Sequence, residues 1–378
     1  MKRKILILCK TDLQRDPRVL KQIDALQNDY DIVCVGSAKS NKKGVCSDLN
    51  LFHSDNKSKT IDRITELTKL VTLQYKSLYW KGLHRKVYDE LKKDKYDLII
   101  CNETESLPIA DRIAYKQEIP IYCDLHEFYP DDRGMGSFSK AQQLYEEWLL
   151  INHKSHVKYF TTVSAQLMNI YRDKYQIEST VLNNACRYYD LGNKKTKTQI
   201  KLICHGVANI NRRLEIMIQA VEILDENYTL DLYLVENVST YMQHLKQLAS
   251  QTERINILPP IPFHQIQRTI NKYDVGLYLL YPTNINNANA LPNKLFEFIQ
   301  GRVALAIGPT PAMADIVNQY NIGVVAEEFT AESLAKAVKS MTIEDIDNYK
   351  QNTNKAALYL NSEKNIEEIQ KIVKHILD

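Results

Sequence analysis

One short stretch of the sequence combines residue types that suit a phosphorylated ligand with a spacing that gathers them at one end of a helix. Pro292 follows the polar run 283–289 and precedes helix-forming residues that stop at Gly301, so we expect Pro292 at the first helical position. Leu291 to Asn293 then form a helix N-terminus with unpaired backbone N–H groups. Such an end carries about half a positive elementary charge, which favours the binding of a phosphate.

Two charged residues follow on the same helix. Lys294 adds a mobile cation, and Glu297 lies on the helix face of Asn293 and Lys294, where its carboxylate could accept two hydrogen bonds from a diol such as ribose. Because a diphosphate and a ribose are the two parts of a nucleotide-sugar carrier, the stretch predicts a site for such a donor. The alternative is a helix cap with an ordinary Lys294–Glu297 surface pair, which would be weak.

Polar residues also stand at the ends of two predicted strands. Apolar runs over residues 96–102 and 119–126 predict buried parallel strands. In open α/β sheets, ligands bind outside the carboxyl ends of the strands, so we expect the polar residues there to lie at one rim. We favour a catalytic role for them over the alternative that the histidine is a structural residue. The residues are Asn102, Glu103, His126 and Glu127.

Basic residues stand near the starts of two other predicted helices. Arg212 and Arg213 precede the later of these two helices in the chain. Positive charge there is unfavourable to the helix dipole, which indicates that an anion binds nearby. Arg18 and Lys21 lie in the first turns of the helix that Asp16 and Pro17 begin, and they could meet an anion on the acceptor side. Solvated side chains are the alternative for Arg18 and Lys21.

Strands separated by helices recur along the whole chain and predict an α/β protein with two doubly wound, Rossmann-like domains. The length of 378 residues fits two such domains of about 180 residues each. We expect domains over residues 1–192 and 193–360, with a polar linker near 190–199 and a final amphipathic helix over 361–378. The loop after the first strand has no Gly-x-Gly-x-x-Gly fingerprint, which argues against a nucleotide site in the first domain and against hydride transfer.

The composition excludes several classes of function. Hydrophobic content of 44% and charged content of 25% are those of a globular protein, and neither a long apolar run nor a signal-peptide pattern is present, so we expect a cytoplasmic location. The net charge of +3 is too small to indicate nucleic-acid binding. The seven scattered cysteines have neither metal-ligand nor redox spacing and read as buried, reduced residues.

The segment 61–93 has helical hydrophobic spacing with many basic residues and with Tyr79 and Trp80 near its middle. This composition suits peripheral contact with an anionic membrane surface at the inner face of the cell membrane, or with a lipid-phosphate acceptor. The simpler alternative is a helix that packs its apolar stripe on the sheet. A second candidate for acceptor contact is the glycine-containing loop 131–136.

The run from Pro292 to Glu297 resembles, letter for letter, a motif of the retaining glycosyltransferases of the GT-B fold, family 4 type. The resemblance covers nearly the whole chain and implies a GT-B fold, in which two Rossmann-like domains face a central cleft and the final helix crosses back to the N-terminal domain. It assigns acceptor binding to the N-terminal domain and nucleotide-sugar binding to the C-terminal domain.

The same resemblance implies roles for single residues. The segment Asp124-Leu-His126-Glu127 corresponds to one that faces the cleft near the transferred sugar, and Arg212 to an arginine that contacts the donor diphosphate. Arg213 stands where a glycine is usual. The family has paired glutamates with seven residues between them, but counting back from Glu297 gives Asn289 at the first position, which leaves the ribose contact and puts the contact to the transferred sugar in doubt.

The predicted function is therefore transfer of a sugar from a nucleoside-diphosphate-sugar, with UDP as the favoured carrier, to a glycan or lipid-linked acceptor, with retention of configuration. The family context indicates bacterial surface polysaccharide or glycolipid assembly. We expect neither a cofactor nor a metal, since no Asp-x-Asp stands at a strand end. Two alternatives remain: a UDP-sugar 2-epimerase of the same fold, and a catalytically inactive partner protein of the same fold, to which Asn289 lends weight.

Overall fold

The computed structural model describes residues 2–52, 60–130 and 139–378. Contacts divide the chain into two compact units. The first comprises Met1–Asn183, Asn284–Asn286 and Asn365–Asp378, and the second comprises Asn184–Thr283 and Asn287–Lys364. The boundaries that we predicted after residues 192 and 360 therefore differ from those that the contacts define, because the polar stretch before residue 192 belongs with the second unit.

The first unit is built on a seven-stranded sheet in which all the neighbouring strands are parallel, in the order β3-β2-β1-β4-β5-β6-β7. Helices connect the strands, except between β2 and β3. Its elements are β1 (Lys4–Leu8), α1 (Pro17–Leu26), β2 (Asp31–Gly36), β3 (Val45–Asn50), α2 (Thr60–Val71), α3 (Tyr75–Tyr79), α4 (Gly82–Leu91), β4 (Leu98–Asn102), α5 (Leu107–Gln117), β5 (Ile121–Leu125), α6 (Ser139–Ile151), β6 (Val157–Thr162), α7 (Ala165–Tyr175) and β7 (Thr180–Val181).

The central strands of this sheet read as continuous apolar runs because helices cover both faces. In β1, Ile5 and Ile7 join one buried cluster, whereas Leu6 and Leu8 join the other. Helix α1 starts as expected: the side chain of Asp16 accepts hydrogen bonds from the backbone N–H groups of Arg18 and Val19 at 3.1 and 3.3 Å.

The second unit has a six-stranded parallel sheet, in the order β10-β9-β8-β11-β12-β13, with a buried apolar cluster on each face. Its elements are β8 (Ile200–Ala208), α8 (Glu215–Ile223), β9 (Tyr228–Glu236), α9 (Ser239–Ala249), β10 (Ile255–Leu258), α10 (Ile266–Ile270), β11 (Val275–Tyr278), the end of α11 (Ile285–Asn289), α12 (Asn293–Gly301), β12 (Ala304–Ile307), α13 (Pro311–Tyr320), β13 (Gly323–Val325), α14 (Ala331–Lys339) and α15 (Ile343–Ala357). The first two residues of α11 belong to the first unit.

The last helix, α16 (Ser362–Leu377), returns the chain to the first unit. Its residues Ile369, Ile372 and Val373 are buried in the same cluster as Ile5 and Ile7 of β1. No helix in the described ranges has the length and apolar content needed to cross a bilayer.

The stretch 39–59 is polar and rich in Lys, Asn and Ser, which predicts a loop, and this prediction was wrong for residues 45–50. They form strand β3, whose position at the edge of the sheet leaves most of its residues partly exposed. The segment 61–93, which has helical spacing, comprises the three helices α2, α3 and α4. Leu73, between α2 and α3, adopts a left-handed conformation with φ of 58°, which interrupts the helical path.

Candidate functional site

The start of α12 differs by one residue from the prediction. Pro292, with φ of −70° and ψ of 153°, is the N-cap residue, and the helix begins at Asn293. No side chain caps this end in the described part of the chain. Leu291 is buried in the core and anchors the helix, and the Asn293 side chain accepts a hydrogen bond of 2.7 Å from Asn184. The N-terminus of α12 therefore keeps backbone donors that can face an anion.

Lys294 extends from α12 toward the last residues of β8. Gly206 has φ of +125°, and a Cβ built on it would lie 2.5 Å from both Cε and Nζ of Lys294. Within the described residues, Lys294 and Glu297 form no direct ion pair, so the surface pair considered as an alternative is absent. A glycine at position 206 thus makes room for the lysine side chain beside the carboxyl end of β8.

Arg212 brings a second positive charge to the same place. It lies in the short helical turn Ile210–Arg212 that follows β8, and its Nη1 donates a hydrogen bond to the hydroxyl of Tyr278 at the end of β11. Lys294 Nζ lies 5.6 Å and Arg212 Cζ 5.9 Å from the centroid of the Tyr278 ring. Burial and the neighbouring Arg212 lower the pKa of Lys294 from its usual value. The two cations lie close to the same ring and repel each other, and a bound anion would relieve this repulsion.

Glu297 lies one turn further along α12 and is almost completely buried. Burial raises its pKa, and Lys294 opposes that shift only partly. An ionisable side chain close to Glu297 is that of His205, whose Nε2 is 3.4 Å from Glu297 Oε2. Burial first, and Lys294 second, lower the pKa of His205 to about 3. His205 is therefore neutral near pH 7, and its contact with Glu297 is not an ion pair.

His205 was not among the residues predicted from the sequence. It immediately precedes Gly206 at the carboxyl end of a buried strand, and that position is the signal that could have revealed it. Its Nε2 is buried without a hydrogen bond in the described structure, and its ring packs edge-on against Phe298 at 5.5 Å. His205 therefore lies beside the carboxyl group of Glu297 without a hydrogen bond to it.

The other two predicted donor residues lie apart from this pair of cations. Arg213 is exposed, adopts a left-handed conformation with φ of 46°, and places its guanidinium 4.2 Å from the centroid of the Tyr281 ring. This is the backbone conformation that glycine adopts most easily. Asn289 is the last residue of α11 and is partly buried.

In the first unit, three of the four strand-end residues come together. His126 is buried, with its Nε2 3.2 Å from Asn102 Oδ1 and 3.2 Å from Asp124 Oδ2, and its Nδ1 is 3.8 Å from Glu103 Oε1. Glu103 has φ of 69°, an uncommon conformation for a residue other than glycine. The side chain of Glu127 is exposed, and its carbonyl oxygen accepts a hydrogen bond of 2.6 Å from the Tyr171 hydroxyl.

Gln22 is a second residue that the sequence analysis missed. It lies on the buried face of α1, and its Nε2 donates to Asn102 Oδ1 at 2.8 Å and to Asp124 Oδ2 at 3.2 Å. The sequence signal that could have revealed Gln22 is a polar residue on the apolar face of a helix. The pKa of Asp124 is lowered overall: burial raises it, but this is outweighed by His126 and by hydrogen bonds from His126 and Thr161.

The predicted acceptor-side residues Arg18 and Lys21 are partly buried on α1 and line a narrow crevice of about 10 Å³ together with Gln22 and Asp124. That volume is about enough for one water molecule. A larger pocket of about 650 Å³ lies before the amino ends of β5 and β6, between Tyr115, Lys158 and His375, and contains none of the predicted residues. The predicted site residues therefore lie outside this larger pocket. The loop 131–136 lies outside the described residues.

The segment 61–93 turns its aromatic residues inward. Tyr79 is fully buried, and the ring of Trp80 packs under the guanidinium of Arg112 at 4.7 Å. What remains at the surface is an apolar patch on and just after α2, with basic residues among it. The exposed apolar residues are Ile64, Leu67, Val71 and Leu73; of the lysines, Lys76 is exposed and Lys69 is partly buried.

Comparisons with known proteins give matches only at the level of structure, since no family model matches the chain and no curated protein matches it. The crystal structure of Anabaena Alr3699/HepE in complex with UDP superimposes with a TM-score of 0.69 at 13% identity, covering 99% of this chain and 100% of that one. Sucrose-phosphate synthase from Thermosynechococcus elongatus superimposes with a TM-score of 0.70 at 11% identity, covering 100% and 99%.

A third match is the E. coli protein described as trehalose-6-phosphate bound with UDP-2-fluoro glucose, with a TM-score of 0.67 at 10% identity, covering 100% of this chain and 99% of that one. Agreement over the full length, together with the two parallel sheets and their alternating helices, confirms the α/β class and the GT-B fold. At these identities the likeness extends to the fold alone. Activity must be argued from the residues of this chain.

Proposed function

We propose that this chain is a glycosyltransferase that takes a sugar from a nucleoside-diphosphate-sugar, with UDP as the carrier, and transfers it to a hydroxyl of a glycan or lipid-linked acceptor. The observation that carries the proposal is the approach of Lys294 and Arg212 to Tyr278 beside Gly206. Two cations in a half-buried position that form no ion pair in the described structure suit a diphosphate, because its charge would neutralise both.

The remaining parts of a nucleotide carrier match neighbouring groups. The N-terminus of α12 offers backbone donors to phosphate oxygens, and Glu297 offers a carboxylate, held beside neutral His205, to the ribose diol. Leu291, Pro292, Asn293, Arg213 and Asn289 complete the proposed donor side. The choice of uridine is supported by structures of the same fold that hold UDP or a UDP-sugar.

The departing diphosphate needs its charge stabilised as the bond to the sugar breaks. In this proposal Arg212, Lys294 and the helix end supply that stabilisation without a metal or cofactor. The bond between the sugar and the diphosphate breaks, and the acceptor oxygen bonds to the same face of an oxocarbenium-like sugar while its proton passes to the departing diphosphate oxygen. The configuration is therefore retained. Glu103, His126 and Glu127 contact hydroxyl groups of the substrates, and Asn102 contributes through its contact with His126. Arg18 and Lys21 contact an anionic part of the acceptor.

The proposed acceptor is lipid-linked or glycan, as in surface polysaccharide or glycolipid assembly, and the protein works at the cytoplasmic face of the cell membrane. The apolar patch of α2, with Lys69 and Lys76, supports peripheral contact with an anionic bilayer. Sedimentation with vesicles that contain phosphatidylglycerol tests this part. We expect binding that falls when Leu67 and Val71 are both changed to Ser, and equal binding to neutral vesicles would contradict it.

The main experiment is thermal unfolding with a panel of nucleotides. UDP and UDP-sugars should raise the melting temperature, because a ligand at a hundredfold excess over Kd stabilises by about 2.7 kcal/mol. Uridine and inorganic phosphate are the controls for each half of the carrier. No protection by any nucleoside diphosphate would contradict the proposal and favour an inactive partner protein.

A second measurement separates transfer from epimerisation. Incubation with the protective UDP-sugar alone should leave its sugar unchanged apart from slow hydrolysis, and addition of the acceptor should release UDP. Appearance of a 2-epimer without any acceptor would favour the epimerase instead.

A further inference from the structure

The buried polar residues behind the carboxyl ends of β4 and β5 form a hydrogen-bond network. In this network the donor and the acceptor of each bond can be assigned. Its centre is the carboxylate of Asp124, which can only accept hydrogen bonds. Oδ1 accepts from the Thr161 hydroxyl at 2.7 Å, and Oδ2 accepts from Gln22 Nε2 at 3.2 Å and faces His126 Nε2 at 3.2 Å. Thr161 in turn lies 3.0 Å from the hydroxyl of Tyr122, which must donate to it because Thr161 has used its own proton.

This carboxylate also determines which way the two side-chain amides point. Because Gln22 must turn its NH₂ group to Asp124, its Oε1 faces Asn102 Nδ2, at 2.9 Å. Asn102 must then turn its Oδ1 toward Gln22 Nε2, at 2.8 Å, and toward His126 Nε2, at 3.2 Å. The orientations of both amides thus follow from the hydrogen-bond chemistry of Asp124.

Both neighbours of His126 Nε2 are therefore acceptors. We propose that Asp124, Gln22 and Asn102 are positioning residues that hold neutral His126 with its proton on Nε2, so that Nδ1 is the atom that accepts a hydrogen bond from a sugar hydroxyl. Asp124 and Gln22 gain a role here, and Asn102 acts through His126 rather than on the substrate.

The side of the ring that bears Nδ1 indicates the ligand. Nδ1 and Glu103 Oε1 are 3.8 Å apart, too far for a direct hydrogen bond, and both are acceptors when the proton is on Nε2. An acceptor at Nδ1 suits a ligand that brings a hydrogen-bond donor, and a sugar hydroxyl does so. The identity of this ligand rests on the proposed function, whereas the position of the proton does not.

Nuclear magnetic resonance on protein with ¹⁵N-labelled histidine measures the proton position directly. At about pH 8, where an ordinary imidazole is neutral, we expect His126 to show a protonated Nε2 and an unprotonated Nδ1. The spectrum of His126→Gln assigns the signals. A proton on Nδ1, or a doubly protonated ring at that pH, would overturn the proposal, and this measurement needs only the wild-type protein and the assignment variant.

Asp124→Asn provides the second test. Its oxygen should stay with Thr161, so its NH₂ group would face His126 Nε2 and move the proton to Nδ1. We expect that change in the spectrum and a fall of about tenfold or more in kcat for transfer, with the Kd for UDP unchanged. An unchanged His126 spectrum in a folded variant would overturn the proposal.

Asp111→Asn is the matched control, because Asp111 also contacts histidines, His153 at 3.0 Å and His156 at 2.7 Å, in the same unit. Asp111→Asn should change the spectra of those two histidines and leave the His126 spectrum and the kcat for transfer unchanged. If UDP binding and transfer are absent while His126 keeps its proton on Nε2, the proposed function fails and the positioning role stands. If UDP binding and transfer are present but the proton of His126 is not on Nε2, only the positioning role is rejected.

Discussion

The ammonium group of Lys294 lies against the Cα of Gly206, so closely that any side chain at position 206 would come within 2.5 Å of it. The two residues belong to different elements, the start of α12 and the end of β8. Gly206 also has a φ of +125°, which residues other than glycine rarely adopt. The backbone of β8 therefore leaves room for the cation of α12.

Gly206→Ala should consequently displace Lys294. We expect the Kd for UDP to rise about tenfold or more and the stability to fall by about 1–2 kcal/mol, from backbone strain. Calorimetry and denaturant unfolding measure the two effects. Gly192→Ala is the control, since no atom lies within 4 Å of a Cβ there and no strained φ is present. Unchanged UDP affinity in Gly206→Ala would show that the position of Lys294 is unimportant.

Lys294→Met should weaken UDP binding and raise the stability of the unliganded protein. Removal of a half-buried cation that Arg212 repels should stabilise the unliganded protein by about 1 kcal/mol, while UDP binding is largely lost. A purely structural lysine would show the opposite sign of stability change. Thermal unfolding with and without UDP reads both, and Lys339→Met, at an exposed helical position, should change neither.

The stability of the unliganded protein should also depend on Lys294 at high pH. Because the folded pKa lies below 10.5, the unfolded chain binds more protons between the two values, so stability rises with pH across that window. Denaturant midpoints of the wild type and Lys294→Met measured from about pH 8 to 10.5 should converge as the lysine loses its proton. A constant difference would contradict the lowered pKa.

Binding of the ribose should depend on pH through Glu297. Its folded pKa lies above 4.5, so between 4.5 and that value the free protein holds a proton that a carboxylate accepting from a diol must release. UDP affinity should therefore rise with pH across this window. Phosphate titration contributes equally to the wild type and to Glu297→Gln, so the difference between their Kd profiles isolates Glu297. Identical profiles would exclude the ribose contact.

A buried ion pair away from the site should control stability alone. Lys350 Nζ is 2.9 Å from Asp274 Oδ1, and both residues are buried. Lys350→Met should cost about 3 kcal/mol or more, because it leaves Asp274 charged without its partner. Adding Asp274→Asn should recover most of that loss in denaturant unfolding. The Kd for UDP should not change in the folded double variant, and a change would link this pair to the donor site.

Much of the fold follows from local patterns in the sequence. Continuous apolar runs such as Lys4–Leu8 indicate strands covered on both faces, and Asp16 with Pro17 marks the start of a helix. These signals are local because burial and capping act on neighbouring residues. Strand β3 gave no such signal, since its position at the edge of the sheet leaves it partly exposed and polar.

The sequence by itself also determined the charge and chemistry at the start of α12, because a helix end and its first residues are set within one turn. Only the tertiary structure decided that Lys294 turns to Gly206 and not to Glu297, that neutral His205 faces Glu297, and that Gln22 joins Asn102 and His126. Each of those contacts joins residues far apart in the chain. The direction of a long side chain or the partner of a buried polar group depends on which elements pack beside it, and no local pattern carries that information.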